Sequence, residues 1–140
     1  LDASIQAQIV ELLIRLQRET AMSLIFISHD LSVVRHLCHR VMVLFLGRIV
    51  ELAGRDALYA DPRHPYTRAL LAAVPVPDPK REREKTYVRH TGELPSPLDT
   101  RSQLTFLKSR MIDDPAAEQY RPQLLEVAPG HFVAEHDPVT

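Results

Sequence analysis

Met22-Ser23-Leu24-Ile25-Phe26-Ile27-Ser28-His29-Asp30-Leu31 is the stretch on which the reading of this chain turns. Its first six residues form a nearly continuous apolar run, as expected of a strand covered on both faces. Ser28-His29-Asp30 then reads as a strand-to-helix turn, with Asp30 or Ser28 as N-cap of a short helix over Leu31–His39. Upstream, Ile5, Ile9, Leu12, Leu13 and Leu16 recur at helical spacing. They predict a helix over Ala3–Glu19 with one apolar stripe, capped by Asp2 or Ser4. A helix followed by a buried strand is half of a βαβ unit, which points to the α/β class.

Downstream, Val41–Leu46 is a second apolar strand. Gly47 turns it into Arg48–Leu52, and the two form a predicted hairpin. Arg55–Ala60 reads as a short helix and Asp61–Pro65 as a turn. Pro65 suits the first position of a further helix running to Val74, with Leu70, Leu71 and Val74 on one side. Pro75-Val76-Pro77-Asp78-Pro79 cannot continue that helix, and the mixed charges of Lys80–Lys85 follow, so residues 75–85 read as a solvated linker. Beyond it, Tyr87–Thr140 reads as irregular, punctuated by six prolines.

The bulk properties bound the function. Among 140 residues, Lys+Arg of 17 against Asp+Glu of 18 leaves a net charge of -1, so nucleic acid is not expected as a partner. The lone Cys38 cannot form an internal disulfide, which suits a reducing cytosol. No apolar run approaches the roughly 20 residues that span a bilayer, and no signal peptide is visible. The four glycines, Gly47, Gly54, Gly92 and Gly130, are isolated. A phosphate-cradling loop needs them clustered, so that backbone N–H groups can approach the anion. These residues contain no such loop.

His29 is the sharpest candidate for chemistry. Open α/β sheets place ligand-contacting residues at the carboxyl ends of strands, where an imidazole can donate to a phosphate oxygen. Such a histidine can equally well only fill its turn. His36, Cys38 and His39 do not make a metal site, because adjacent side chains on a helix diverge by about 100° and structural zinc takes four ligands. Arg81, Arg83 and Lys85 alternate with Glu82 and Glu84, the pattern of a solvated segment.

Phe26-Ile27-Ser28-His29-Asp30-Leu31-Ser32-Val33-Val34 resembles the H-loop of ABC-transporter ATPases, and Leu1-Asp2 resembles the end of their D-loop. Asp2–Ile9 and Leu46-Gly47-Arg48-Ile49-Val50-Glu51 are close to the forms of the peptide-importer branch. His64-Pro65-Tyr66-Thr67-Arg68-Ala69-Leu70-Leu71 is similar to the start of the C-terminal extension in dipeptide, oligopeptide and nickel importers. Gly92–Pro97 and Pro129–His136 resemble the rest of it. The resemblance covers essentially the whole chain, in order. It implies the C-terminal part of a P-loop NTPase (ABC ATPase) domain over residues 1–61, cut just after the Walker B strand, and an irregular α+β extension over 62–140.

By that resemblance His29 reaches the γ-phosphate of ATP as a catalytic and nucleotide-binding residue. Asp2 couples two ATP sites across a dimer interface. The implied partners are a second ATP-binding subunit and integral membrane permeases, with the protein peripheral on the cytoplasmic face of the membrane. The family's activity is ATP hydrolysis coupled to transport, with ATP and Mg²⁺ bound by the complete subunit. This chain has no Walker A loop, no signature loop and no Asp-Glu pair closing a Walker B strand, so alone it is expected to bind neither. The family's extension often carries cysteines that resemble an iron–sulfur or metal ligand set. Here Leu104, Arg110 and Glu135 stand roughly where three would fall, so no cluster is expected, and Phe106, Leu107, Met111 and Ile112 suggest packing instead.

The rival reading is a non-catalytic remnant or a dimerisation or regulatory module that binds no nucleotide. In either case Met22–Ser28 lacks its family neighbours and offers an apolar edge, so the isolated chain is expected to be poorly soluble or oligomeric. A monodisperse monomer with a sharp melt, seen by light scattering and calorimetry, would contradict this.

Overall fold

A computed structural model describes residues 3–74, 102–111 and 116–138. Asp2, the linker at 75–85, the Gly92–Pro97 block and Ile112 lie outside the described residues. The chain divides into two compact units, residues 1–39 and residues 40–140.

In the first unit, α1 (Ala3–Thr20) and α2 (Leu31–Leu37) flank an extended segment. α1 ends where the Thr20 hydroxyl donates to the Leu16 carbonyl at 2.7 Å and Ala21 enters the left-handed region with φ 52°. Of the stripe read from the sequence, only Leu13 lies on the covered side. Ile5, Ile9, Leu12 and Leu16 are exposed, while Gln6, Val10, Leu13, Ile14 and Gln17 form the better covered side. That side is fixed by tertiary contact, since Gln6 Nε2 donates to Asp30 Oδ2 at 3.1 Å.

The strand expected at Met22–Ser28 is not formed. A central strand needs hydrogen-bonding neighbours on both edges, and the sheet of this structure contains only residues of the second unit. Leu24, Phe26 and Ser28 still alternate with exposed neighbours, and Ile25 and Ile27 are 90% and 92% exposed. The backbone keeps the two-residue periodicity of a strand without a ladder. α2 stops at Leu37, short of the expected His39, and buries Val34 and Leu37.

The second unit is mixed α/β, built on a four-stranded antiparallel sheet of order β1-β2-β4-β3. β1 (Arg40–Phe45) and β2 (Arg48–Gly54) form the expected hairpin. Its two-residue loop has φ 48° at Leu46 and φ 75° at Gly47, the double left-handed arrangement of a type I′ turn that matches strand twist. β1 alternates exposed and buried residues, with Val41, Val43 and Phe45 inward. α3 (Arg55–Ala60) and α4 (Pro65–Ala72) follow, with Pro65 in the first turn of α4 as expected. Leu58 of α3 is fully buried.

The tail is more regular than its prolines suggested. Short 3₁₀ turns at Ser102–Leu104, Lys108–Met111 and Ala117–Gln119 precede β3 (Leu124–Ala128) and β4 (His131–Ala134). Ala128 pairs with His131 across Pro129-Gly130. Proline fixes its own φ, and Gly130 at φ 71° takes the position that strains any residue with a Cβ. The signal for this hairpin was the dipeptide Pro129-Gly130 between two apolar runs. Leu104, Leu107 and Ala117 form a small buried cluster with Tyr120 against it. No helix among the described residues is long and apolar enough to cross a membrane.

The turn makes a clean test of local strain. A left-handed conformation costs a residue such as leucine about 1 kcal/mol or more, and asparagine tolerates it. Leu46→Asn is expected to raise stability by about 1 kcal/mol, read from the urea midpoint at unchanged slope.

Candidate functional site

Two constellations stand out, one in each unit. In the first, Ser28 Oγ accepts from the Asp30 N–H at 2.9 Å. Asp30 Oδ1 accepts from the N–H groups of Ser32 at 2.9 Å and Val33 at 3.3 Å, and so caps α2. Burial pushes the Asp30 carboxyl up. The Val33 and Ser32 N–H groups, Gln6 and the adjacent His29 outweigh it and hold Asp30 below the ordinary carboxylate range. The turn is thus pinned on both sides of His29, whose imidazole is exposed. The arrangement presents one imidazole from a fixed backbone, the positioning that phosphoryl transfer asks of a side chain. Asp2 lies outside the described residues, so the two are not seen together.

The second constellation centres on Glu51, which is 0% exposed. A bulge sets it there: Val43 pairs with Glu51 but Leu44 with Ile49, leaving Val50 as the extra residue. The bulge breaks the alternation, so that Val50 and Glu51 both turn inward while Ile49 is exposed. Strict two-residue alternation from the exposed Ile49 would instead place Glu51 on the exposed side.

Glu51 is met by donors from two other elements. Oε1 accepts from the Arg63 N–H at 2.8 Å and Oε2 from the His64 N–H at 3.0 Å. His131 Nε2 lies 2.7 Å from Oε1, and since a carboxylate only accepts, that nitrogen carries the proton. Burial alone would raise the Glu51 carboxyl. The Thr67 hydroxyl, the Arg63 N–H, His131 and the His64 N–H together hold it below its ordinary value. The Thr67 hydroxyl stands beside the carboxylate but forms no hydrogen bond of acceptable geometry, so it is a polar neighbour and not a fourth bonded donor.

His64, 1% exposed, caps α4 by accepting from the Tyr66 N–H at Nδ1, 3.1 Å away. Burial pushes its imidazole down to about 4; His136 adds to this and Glu51 opposes it. Its ring lies 4.9 Å from Phe106 and 5.3 Å from His136, centroid to centroid. Phe106 also meets Phe45 at 5.1 Å and Tyr66 at 6.1 Å. Glu135 accepts from the Tyr120 hydroxyl and the Gln123 N–H. Leu104 is fully buried in the apolar cluster. The described parts of the tail are held by packing and hydrogen bonds, both among themselves and to β1, β2 and α4.

His36 and His39 are exposed, and the His36 ring Nδ1 lies 2.7 Å from the Ser32 carbonyl, with Cys38 at the end of α2. Among the described residues no group of three or more His, Cys, Asp or Glu is placed to hold a metal ion. In the sequence Glu51, His64 and His131 stand only within longer motifs, far apart from one another. The signal for their partnership was an acidic residue inside an apolar strand, which needs buried donors from elsewhere.

Residues 50–103 match the family described as oligopeptide/dipeptide transporter, C-terminal region. The chain is a homologue of peptide-import ATP-binding proteins. It is 50% identical over 134 residues to a Brucella ovis protein named for peptide import and ATP binding, covering 96% of this chain and 42% of that protein. It is 52% identical over 124 residues to the oligopeptide transport ATP-binding protein OppF of Escherichia coli, covering 89% of this chain and 37% of that protein. The OppF of Salmonella typhimurium matches to the same extent. The chain thus spans about two fifths of the length of these relatives.

The Glu51 hub can be tested by one substitution. Its depressed pKa means that its contribution is complete above the unfolded value and is lost as pH falls through the folded one. Glu51→Gln at neutral pH turns one acceptor into a donor facing N–H groups. It is expected to cost about 3 kcal/mol, measured by urea unfolding.

Proposed function

We propose that this chain is part of the ATP-binding subunit that energises a peptide-type ABC importer of the oligopeptide, dipeptide or nickel class. The observation that carries this is 50% identity over 134 residues to a protein named for peptide import and ATP binding. His29 is the residue that reaches the γ-phosphate, and Asp2 the one that couples two ATP sites across a dimer. The turn supports the first role, since Ser28 and Asp30 anchor the backbone on either side of His29. A fixed donor needs no reorganisation when charge shifts in the transition state.

Residues 1–61 belong to the ATPase domain and 62–140 to the extension. The complete subunit binds ATP with Mg²⁺, pairs with a second ATP-binding subunit and docks on membrane permeases from the cytoplasmic side. The residues of this chain do not fit the task of gripping Mg²⁺ or a triphosphate: they contain no glycine cluster and, among those described, no acidic set suited to a metal. No hydrolytic step is therefore assigned to them alone. No iron–sulfur cluster is assigned either, because the only cysteine is Cys38.

The test is in two parts. The isolated chain, titrated with Mg-ATP by calorimetry, is expected to show no saturable binding below about 1 mM, an affinity worth roughly 4 kcal/mol. Joined in frame behind the preceding portion of the Brucella ovis relative, the chain is expected to restore ATP hydrolysis. In that fusion His29→Ala lowers turnover roughly 100-fold while Mg-ATP still binds. Unchanged turnover in the variant would remove His29 from the chemistry.

A further inference from the structure

We propose that the cluster of Glu51, His64, His131 and His136 is a proton-operated latch that holds the strand pair β3–β4 on the sheet and releases it on acidification. The backbone join at this point is short. β4 meets β2 only at Glu51↔Val133 and Leu52↔Phe132, whereas the β1–β2 ladder runs from Arg40↔Gly54 to Phe45↔Arg48. Docking therefore leans on side chains. They are the His131–Glu51 bond at 2.7 Å, the His64–His136 ring contact, and Phe106 against Phe45, Tyr66 and His64.

The chemistry of His64 makes the join sensitive to protons. Its Nδ1 accepts from the Tyr66 N–H. A proton on that nitrogen removes the acceptor, orphans the N–H at the start of α4 and creates a charge where almost no solvent reaches. The charge would face His136 across 5.3 Å. Among the described residues Glu51 of β2 is the facing group that favours the charged ring, and its oxygens are already engaged by Arg63, His64 and His131. His131 of β4 reaches the cluster through Glu51. Asp137, next to His136, accepts from the Ser109 N–H at 3.0 Å. The Arg63 guanidinium is engaged by Asp61 at 2.5 Å, and Phe106 closes its side with an uncharged ring.

The sign follows from linkage. The folded His64 holds fewer protons than the unfolded one between its ordinary 6.5 and about 4. The latch is at full strength above that window and weakens as pH falls through it. Because β1–β2 has its own ladder and turn, the tail pair releases first, as a local opening.

The experiment is amide hydrogen exchange on the full chain from about pH 7.5 to about pH 4.5, expressed as protection relative to the intrinsic rate at each pH. Protection of Leu125–Val133 is expected to fall roughly tenfold or more across that range while Val41–Phe45 of β1, which pairs with β2 alone, keeps its own. His64→Asn retains a capping oxygen without a titrating ring, and its tail protection is expected to be flat with pH. His136→Gln removes the opposing ring and is expected to move the loss to higher pH. Simultaneous loss in both hairpins, no loss in either, or an unmoved midpoint in His136→Gln would each overturn the latch.

Discussion

A single buried carboxylate organises the second unit. Taking the Glu51 charge out of water is costly, and the cost is met only if nearly every lone pair finds a donor. Those donors come from parts of the chain far apart in sequence: the backbone of Arg63 and His64, and the ring of His131. Satisfying one carboxylate therefore fixes the loop that starts α4, seats His64 as its cap and anchors β4. The aromatic contacts of Phe45, Tyr66, His64 and Phe106 fill the space beside it. Each half of the arrangement requires the other, because hydrogen bonds without burial would be weak and burial without donors would expel the charge.

The first unit follows a different logic. Its only deep burial among described residues is at Val34 and Leu37, and its order comes from a few hydrogen bonds around one turn. Ser28, Asp30 and Gln6 hold the turn before α2, and the exposed His29 sits between the pinned positions. Ile25 and Ile27 stand in solvent in an extended segment with no ladder. Apolar residues alternating along such a segment are a surface that favours pairing with another strand. The turn around His29 is anchored by its own hydrogen bonds, while the segment leading to it is not part of a sheet here.

The two units differ in how much of them could be read in advance. The β1–β2 hairpin, α3 and the proline at the start of α4 all rest on neighbours within a few residues, and these appeared as expected. Met22–Ser28 has strand composition, but a strand is a property of a pair, and among the described residues no strand pairs with it. The stripe of α1 failed for a related reason. Ile5, Ile9, Leu12 and Leu16 are periodic, yet periodicity marks a face without naming what covers it, and the Gln6–Asp30 bond set the other side inward. In the tail, proline content masked a hairpin that Pro129-Gly130 in fact encodes.

The legible part of this chain is local and compositional: the turns, the caps, the absence of a glycine cluster, and the ordered motifs that tie it to peptide-import ATP-binding proteins. These depend on backbone preferences and on residue identity, which need no distant partner. The orientation of Glu51 and the meeting of His64, His131 and His136 arise from the folded chain alone. One extra residue in β2 reverses the side to which every following residue points, and no local preference announces such a bulge. The partners of a buried charge are then chosen by which donors the folded chain brings within about 3 Å, a distance that separation in sequence does not reveal.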